Sequence, residues 1–136
     1  MRSNRSARSQ AELEELFCGA PAPEDDDLIG DHDGRILRRP WLAAAERFWL
    51  GKRFELAAGR LVGVNRLRLG GRVVQAARFA VRMLPSPFDG ESRRTLVYPG
   101  GLVRDEIVTV DGGLLGRGFV GRGRLPIYFA LHRSEG

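Results

Sequence analysis

The chain has 136 residues, of which 43% are apolar, 29% charged and 8% aromatic, and its formal charge is +5. This size and composition are typical of one globular domain with one core, and they exclude two independent domains. No apolar run approaches the length of about 18 residues that a membrane-spanning helix needs. The single cysteine, Cys18, excludes an internal disulfide and a cysteine-based zinc site. Because no apolar stretch follows the first residues, we expect no secretory signal and a cytoplasmic location.

The charge is distributed unevenly along the chain. Residues 1–33 carry a net −6 and residues 34–136 a net +11, and 21 of the 22 basic residues are arginine, with Lys52 the exception. A basic body indicates anionic partners such as nucleic acid, an acidic protein, or a carboxylate or phosphate ligand. The arginine bias is equally typical of a GC-rich genome. Since the arginines are scattered through alternating patterns, they favour a solvated outer sheet face over a nucleic-acid groove.

The N-terminal part, residues 1–27, is predicted to be a flexible segment with one short helix, ahead of a barrel domain over residues 28–136. Ser9 and Glu12 form a capping box, which predicts that the helix begins there. Gly19 is suited to a left-handed helix stop. The helix would plug or flank the domain. Residues 21–27 have the composition of an acidic, extended connector.

The barrel domain begins with a strand over Leu28–Arg38. Pro40 then opens a predicted helix that carries Trp41, Phe48 and Trp49 on one face and ends at Gly51. Beyond it the period changes to two, which predicts strands joined by short turns rich in glycine. Arg72–Leu84 fits both a strand and a helix, and the preceding Gly70-Gly71 turn favours a strand. The remaining predicted strands are Lys52–Leu56, Arg60–Leu69, Arg93–Tyr98, Val103–Val110, Leu114–Gly121 and Leu125–His132.

Seven or eight short strands with short connections predict a mainly β fold: an antiparallel up-and-down barrel with one or two short helices at its end. Closure removes the exposed edges of an open sheet. Eight strands enclose either packed side chains or one small ligand. Glycines within the predicted strands, at Gly63, Gly116 and Gly118, allow sharp coiling.

Two segments resemble a known family. Gly30-Asp31-His32-Asp33-Gly34 stands where lipocalin-like families carry Gly-x-Trp-x-Gly, and Phe48-Trp49-Leu50-Gly51-Lys52-Arg53-Phe54 resembles the Trp-Tyr-Gly-Lys-Arg-Phe segment of the bacterial GXWXG proteins. The similarity extends over residues 28–133. It implies a lipocalin-like (calycin) barrel with a cavity for a small, largely apolar molecule. His32 replaces the family tryptophan, so an ionisable group stands where the family has an apolar one.

The candidate catalytic residues are titratable or hydroxyl-bearing side chains within predicted strands. His32 titrates near neutrality, but strand alternation turns it away from Asp31 and Asp33, which favours its interpretation as a partly exposed strand end. Alternation also separates Asp105 from Glu106: an inward carboxyl among apolar neighbours would act as an acid or base, whereas an outward one would pair with arginine in solvent. Tyr98 and Tyr128 would either donate to a ligand or serve as core aromatics.

The candidate ligand-binding residues are one amide and a set of aromatic side chains. Asn65 shares a strand face with leucines, so it is either a hydrogen-bonding group in a cavity or a structural bridge. The aromatic stripe on the predicted helix would form core or a pocket lid. The full set is Asn65, Trp41, Phe48, Trp49, Phe79, Phe119 and Phe129.

No cofactor or metal is expected. A metal needs about three converging ligands, and His32 and His132 are the only histidines. Residues 116–121 have the pattern Gly-x-Gly-x-x-Gly, but they lie in a β-rich segment with no helix after it, so a dinucleotide site is not indicated.

Three functions are therefore open. The first is binding of a small hydrophobic molecule, with or without a carboxylate or carbonyl, in a cavity of about 300 Å³ or more. The second is a cyclase or isomerase acting on a polyketide- or terpene-like substrate, which an acidic carrier protein would suit. The third is nucleic-acid binding through the arginine-rich face, for which the scattered arginines give little support.

Overall fold

The computed structural model describes residues 9–37 and 47–135, with the side chains of residues 124 and 125 left out of the description. Within these ranges the chain forms two short helices and eight strands. They are α1 (Gln10–Cys18), α2 (Asp25–Leu28), β1 (Gly30–Leu37), β2 (Trp49–Ala57), β3 (Arg60–Leu69), β4 (Arg72–Pro85), β5 (Ser92–Val97), β6 (Val103–Val110), β7 (Gly113–Val120) and β8 (Arg124–Arg133). Neither described helix has the length and apolar character needed to cross a membrane.

The eight strands form a closed, antiparallel, up-and-down barrel in sequence order, because β1 pairs with both β2 and β8. The predicted fold class is confirmed. Strands β1, β3, β5 and β7 finish at one end of the barrel, called here the open end. Strands β2, β4 and β6 finish at the other, called the closed end. Alternation along each strand sends one set of side chains inside and the other outside.

The ambiguous segment after Gly70-Gly71 is a strand, β4, which confirms the favoured interpretation. The predicted helix before Lys52 does not extend to its predicted end, because Trp49 already belongs to β2 and Gly51 forms a bulge within it. Gly51 has φ +146°, and a Cβ there would stand 1.9 Å from the carbonyl oxygen of His32, so this position requires glycine. The predicted start of that helix, at Pro40 and Trp41, lies outside the described residues.

Helix α1 begins at the predicted capping box, in which the Glu12 amide donates to Ser9 Oγ (3.0 Å) and the Ser9 amide donates to Glu12 Oε1 (2.7 Å). The helix flanks the barrel: Leu13 and Phe17 are buried against the outer faces of β6, β7 and β8. Gly19 ends it with φ −89°, so the predicted left-handed stop is wrong.

Helix α2 covers the closed end, where an extended connector was predicted. Leu28, fully buried, enters the interior core. Arg94 donates to the Asp25 carboxylate (2.5 Å), and Arg133 donates to the carbonyls of Asp26, Asp27 and Ile29. The run of three aspartates forms a turn of helix because these arginines offset its charge and satisfy its carbonyl groups.

Three inward-facing glycines make room for aromatic rings inside the barrel. A Cβ at Gly116 would lie 2.2 Å from the Phe129 ring, and one at Gly63 would lie 2.5 Å from the Phe79 ring. Gly34 stands in the same relation to Trp49, at 2.4 Å. These glycines therefore do more than allow coiling, because they set where the interior rings lie.

Candidate functional site

A cavity of about 280 Å³ opens inside the barrel at its open end. Apolar side chains form most of its wall. The lining residues are Ile36, Trp49, Lys52, Asn65, Val103, Asp105, Gly118, Phe119, Val120, Ile127 and Phe129. Below it, toward the closed end, the barrel is filled by the interior core, so the cavity occupies only part of the barrel.

Lys52 on β2 lies at the centre of a buried polar network beside this cavity. Its ammonium donates to Asn65 Oδ1 (2.8 Å) and to the Tyr98 hydroxyl (2.8 Å), and it forms an ion pair with Asp105 Oδ2 (3.1 Å). The Lys52 side chain is 3% exposed. A buried ammonium needs such partners, since an unpaired one is costly to desolvate.

Four aromatic rings surround the same ammonium. Nζ lies 5.2 Å from the ring centroid of Phe79, 5.3 Å from Phe129, 5.5 Å from Tyr98 and 5.6 Å from Trp49. At these distances the negative ring faces attract a cation. The glycines at positions 34, 63 and 116 thus place three of the rings that surround Lys52.

Asn65 and Tyr98 complete the network. Asn65 accepts from Trp49 Nε1 (2.9 Å) and donates to the Tyr98 hydroxyl (3.0 Å) and to the Ala77 carbonyl (3.1 Å). Tyr98 donates to Asp105 Oδ2 (2.9 Å). Ala77 is the left-handed residue (φ +54°) where the β3–β4 register shifts, so this irregularity turns a backbone carbonyl toward Asn65.

Two groups of the network keep their protons at neutral pH. Burial by itself lowers the pKa of Lys52, but the nearby Asp105 carboxylate and Tyr98 oxygen outweigh it and hold that pKa above its ordinary value. Burial raises the pKa of Tyr98 and outweighs the opposing effect of Lys52. Both groups are therefore hydrogen-bond donors, and neither is a base.

The donors of the network are all engaged, whereas one acceptor is free. The three hydrogens of the ammonium, the Tyr98 hydroxyl hydrogen and both Asn65 amide hydrogens have partners. Asp105 Oδ1 has no hydrogen-bond donor within the described ranges, and the Asp105 side chain is 10% exposed. This oxygen occupies space that Gly118 leaves open, since a Cβ at that position would lie 2.7 Å from it.

Six of the predicted site residues meet here: Asn65, Trp49, Phe79, Phe129, Tyr98 and Asp105. The sequence analysis missed Lys52, which joins them. Two signals pointed to it: Lys52 is the sole lysine among 22 basic residues, and on its strand it shares a face with Phe54. An ammonium is a compact charge that shifts its pKa readily, a property that arginine does not supply.

His32 lies apart from this network, in the interior near the closed end. It turns away from Asp31 and Asp33 as predicted, but it is only 2% exposed, so the interpretation as a partly exposed strand end is wrong. Its Nε2 lies 2.7 Å from the Leu28 carbonyl oxygen, while Nδ1 is buried without a partner. Burial lowers the pKa of His32. The ring is thus a neutral donor within the core.

Glu106 and Tyr128 lie on the outside of the barrel, beneath α1. Glu106 Oε1 accepts from Arg117 Nη2 (2.7 Å) and Nε (3.0 Å), and both residues are buried, so the predicted solvated pair is wrong. The Arg117 guanidinium lies between the rings of Phe17 and Phe88, at 4.1 and 4.2 Å from their centroids. Burial raises the pKa of Tyr128, whose hydroxyl interacts with Arg117. These groups hold α1 on the barrel.

The other predicted aromatic residues are dispersed. Phe119 lies at the cavity edge, but its ring packs edge-to-face on that of Phe88 (5.1 Å between centroids). Phe48 is 53% exposed beside the open end and is not core. Trp41 is not among the described residues.

Three other depressions are larger than this cavity. The smallest of them, of about 310 Å³, lies at the closed end beside Asp27, His32 and Arg133. The other two lie along the outside of the barrel. One, of about 490 Å³, lies along β2–β5 and includes Arg53, Arg78 and Pro99. Another, of about 450 Å³, lies between α1 and the barrel. None of the three is lined by the charged pair Lys52 and Asp105, so the interior cavity is the better candidate despite its smaller volume. Within residues 9–37 and 47–135, no group of three His, Cys, Asp or Glu residues is placed to hold a metal ion.

Comparison with known proteins supports the fold. No family model matches the chain, and no curated protein matches it significantly. The crystal structure of a protein from Thermomonospora curvata is similar over 94% of this chain and 89% of that chain, with a TM-score of 0.73 and 19% sequence identity. At that identity the likeness shows a shared fold alone. The barrel implied by the resemblance to GXWXG proteins is therefore confirmed, whereas no family match supports membership.

Proposed function

We propose that the protein binds a small, mostly apolar molecule in the cavity at the open end of the barrel. The observation that carries the proposal is an apolar cavity beside the buried Lys52–Tyr98–Asp105 network. Such pockets typically combine an apolar wall with a few positioned polar groups. A volume of about 280 Å³ holds about nine water-sized groups at roughly 30 Å³ each, which limits the ligand to a small compound.

The free acceptor at Asp105 Oδ1 favours a ligand with one hydrogen-bond donor, such as a hydroxyl. A ligand carbonyl would have to displace an existing partner of Lys52 or Tyr98, because their hydrogens are engaged. A ligand carboxylate would in addition meet the charge of Asp105. The sequence analysis left open whether the ligand carries a carboxylate or carbonyl, and this count of donors favours a hydroxyl.

Calorimetric titration with 1-octanol, 2-octanone and octanoate tests the proposal, because the three compounds have similar apolar chains and different polar ends. We expect 1-octanol to bind at least about tenfold more tightly than 2-octanone, since its hydroxyl donates to a carboxylate. Octanoate should bind most weakly. Equal affinity for all three would contradict the role of Asp105, and no binding by any would contradict the small-molecule site.

A cavity-filling variant separates this site from the outer depressions. Ile127→Trp places an indole in the cavity and should abolish octanol binding, whereas Met83→Trp, at a position 49% exposed on β4, should leave binding unchanged. Thermal unfolding of both variants checks that they are folded. Undiminished binding by folded Ile127→Trp would place the ligand elsewhere.

A second candidate function is a cyclase or isomerase that uses the same cavity, and the Lys52–Tyr98 hydrogen bond favours it. Both groups are protonated, so they would stabilise negative charge that develops on a polyketide- or terpene-like substrate. Tyr98→Phe keeps the ring and removes the hydroxyl, which donates to Asp105 and accepts from Lys52 and Asn65. Loss of substrate turnover with retained binding in Tyr98→Phe would support chemistry, and unchanged turnover would remove Tyr98 from it.

A further inference from the structure

The open end of the barrel exposes large apolar side chains. Five of them, called here the rim, lie at the strand ends or in the connections that surround the cavity mouth. They are Phe48 (53% exposed), Leu69 (49%), Val73 (55%), Leu102 (61%) and Val103 (43%). Within the described part of the chain, only Leu56 and Met83 are large apolar residues similarly exposed elsewhere. Exposed apolar residues gathered around one opening indicate a surface that contacts something apolar.

Backbone hydrogen bonds place the rim residues in two groups. The Arg68 amide donates to the Phe48 carbonyl (2.6 Å), which brings Phe48 beside the β3–β4 hairpin that carries Leu69 and Val73. The Gly121 amide donates to the Leu102 carbonyl (2.8 Å), which joins the β5–β6 and β7–β8 connections. The cavity lining includes residues near both groups, Trp49 near the first and Val103 and Val120 near the second.

Four arginines are sequence neighbours of rim residues, and a fifth lies in the β7–β8 connection. The set is Arg47, Arg68, Arg72, Arg104 and Arg122. All but Arg104 are exposed, and Arg104 donates to the Gly101 carbonyl at the same end. None of the five forms an ion pair with a carboxylate of residues 9–37 or 47–135.

Carboxylates gather at the opposite end. The three aspartates of α2, together with Asp31, Glu55 and Asp111, stand at the closed-end termini of strands or in closed-end connections. The carboxylates described near the open end, Asp105 and Glu106, are buried and paired with Lys52 and Arg117. At the closed end, Asp25, Asp31 and Glu55 pair with Arg94 and Arg53, whereas the arginines at the mouth have no carboxylate partner in the described ranges. This unpaired positive charge orients the mouth toward an anionic surface.

We propose that the rim docks onto an anionic lipid bilayer, so that the cavity mouth faces the membrane. Apolar side chains flanked by arginine suit the interface, because the former enter the acyl boundary while the guanidinium groups contact lipid phosphates. The two rim groups stand at different connections around an opening and do not form one continuous groove, which suits a lipid surface better than a protein partner. This proposal rests on the rim and its charges and is independent of the ligand.

Flotation with vesicles tests the docking, using purified protein without added ligand. We expect binding to vesicles of equal parts phosphatidylcholine and phosphatidylglycerol, with no binding to phosphatidylcholine alone. Binding should weaken as salt rises, because the attraction is screened. Arg68→Glu with Arg72→Glu should weaken it by at least about tenfold. Phe48→Ser with Leu102→Ser keeps the charge and should also weaken binding, by about tenfold, because apolar surface no longer enters the bilayer.

The matched control is Arg60→Glu with Arg82→Glu, which changes the net charge equally at exposed positions away from the rim. This control should bind as the unsubstituted protein does. Equal weakening in the control and the rim variants would show attraction by net charge alone and would overturn the proposal. Absence of binding to the anionic vesicles would overturn the proposal as well. Binding of the rim to an acidic protein or to single-stranded DNA, without binding to these vesicles, would also overturn it. If the unsubstituted protein bound octanol but did not bind anionic vesicles, the docking would be refuted and the cavity proposal would stand.

Discussion

At the scale of single residues, Lys52 is the group on which the candidate site depends. It is buried, it contacts three polar partners, and four rings surround it. Sequence reasoning singled out its three partners for different reasons. Asn65 is an amide on an apolar strand face, Tyr98 carries a phenol that could donate, and Asp105 is one of two neighbouring carboxylates of which alternation turns only one inward. It missed Lys52 because a lysine within a strand is usually exposed, and alternation alone does not reveal which charge a carboxylate faces across the barrel.

We predict that Lys52→Met destabilises the protein by about 3–5 kcal/mol, because Asp105 is then a buried carboxylate without a cation. Adding Asp105→Asn to Lys52→Met removes that charge and should recover much of the loss. Urea unfolding of the single and double variants measures both free energies. Additive losses in the double variant would show that the two side chains do not interact energetically.

His32 gives a prediction for the pH dependence of stability. Its pKa in the folded protein is lowered from 6.5, chiefly by burial, so the unfolded chain binds a proton more readily than the folded chain does. Protonation of His32 therefore does not change the free energy of unfolding above about pH 6.5. As the pH drops from there through the lowered folded-state pKa, the free energy of unfolding decreases.

Urea unfolding at about pH 8 and at about pH 5 tests this account of His32. His32→Gln keeps a donor for the Leu28 carbonyl but does not titrate, so it should lose less stability on acidification than the unsubstituted protein. The exposed histidine provides the control, since His132→Gln should retain the full loss. A loss in His32→Gln as large as in the control would exclude His32 as its source.

At the scale of elements, glycine and aromatic residues on neighbouring strands determine the shape of the interior. The sequence analysis identified the strand glycines and assigned them to coiling, but it did not pair them with rings. Pairing depends on register between strands, such as Gly116 opposite Phe129, and register across a barrel follows from closure of the whole sheet.

Gly116→Ala is therefore predicted to destabilise the barrel by about 1–3 kcal/mol through overpacking against the Phe129 ring. Adding Phe129→Leu frees space and should recover part of the loss. Gly19→Ala is the control, because its Cβ would meet the Glu15 carbonyl oxygen at an ordinary 3.6 Å. Thermal unfolding measures the stability of all three variants. A Gly116→Ala variant as stable as the unsubstituted protein would contradict the close approach of Gly116 to the Phe129 ring.

Helix α1 is the second element whose role the sequence left open. Its start was predicted from the capping box, and its position on β6, β7 and β8 was not, because contacts distant in sequence leave no periodic signal. We predict that Phe17→Ala costs about 3–5 kcal/mol, since Phe17 is fully buried and covers the Arg117 guanidinium. The exposed neighbour gives a control, Cys18→Ser, which should change the urea midpoint little. A loss in Phe17→Ala no greater than in the control would show that α1 is loosely held.

At the scale of the whole molecule, the fold was the part that the sequence determined best. Period-two patterns and short turns such as Gly70-Gly71 lead to antiparallel neighbours, and closure of eight such strands follows from the need to remove edges. The site was predicted only in part. Alternation separated Asp105 from Glu106 without deciding which points inward, and the structure places Asp105 inside and Glu106 under α1. Alternation states which residues share a face but not what covers that face.

The central claim is that the cavity beside Lys52, Tyr98 and Asp105 holds a small ligand with a hydrogen-bond donor. A crystal structure of the protein grown with 1-octanol tests this claim most directly. The predicted result is an alkyl chain against Trp49 and Phe129, with its hydroxyl within hydrogen-bond distance of Asp105 Oδ1. Octanol bound only in the outer depression along β2–β5, or absent from the interior at saturating concentration, would contradict the claim.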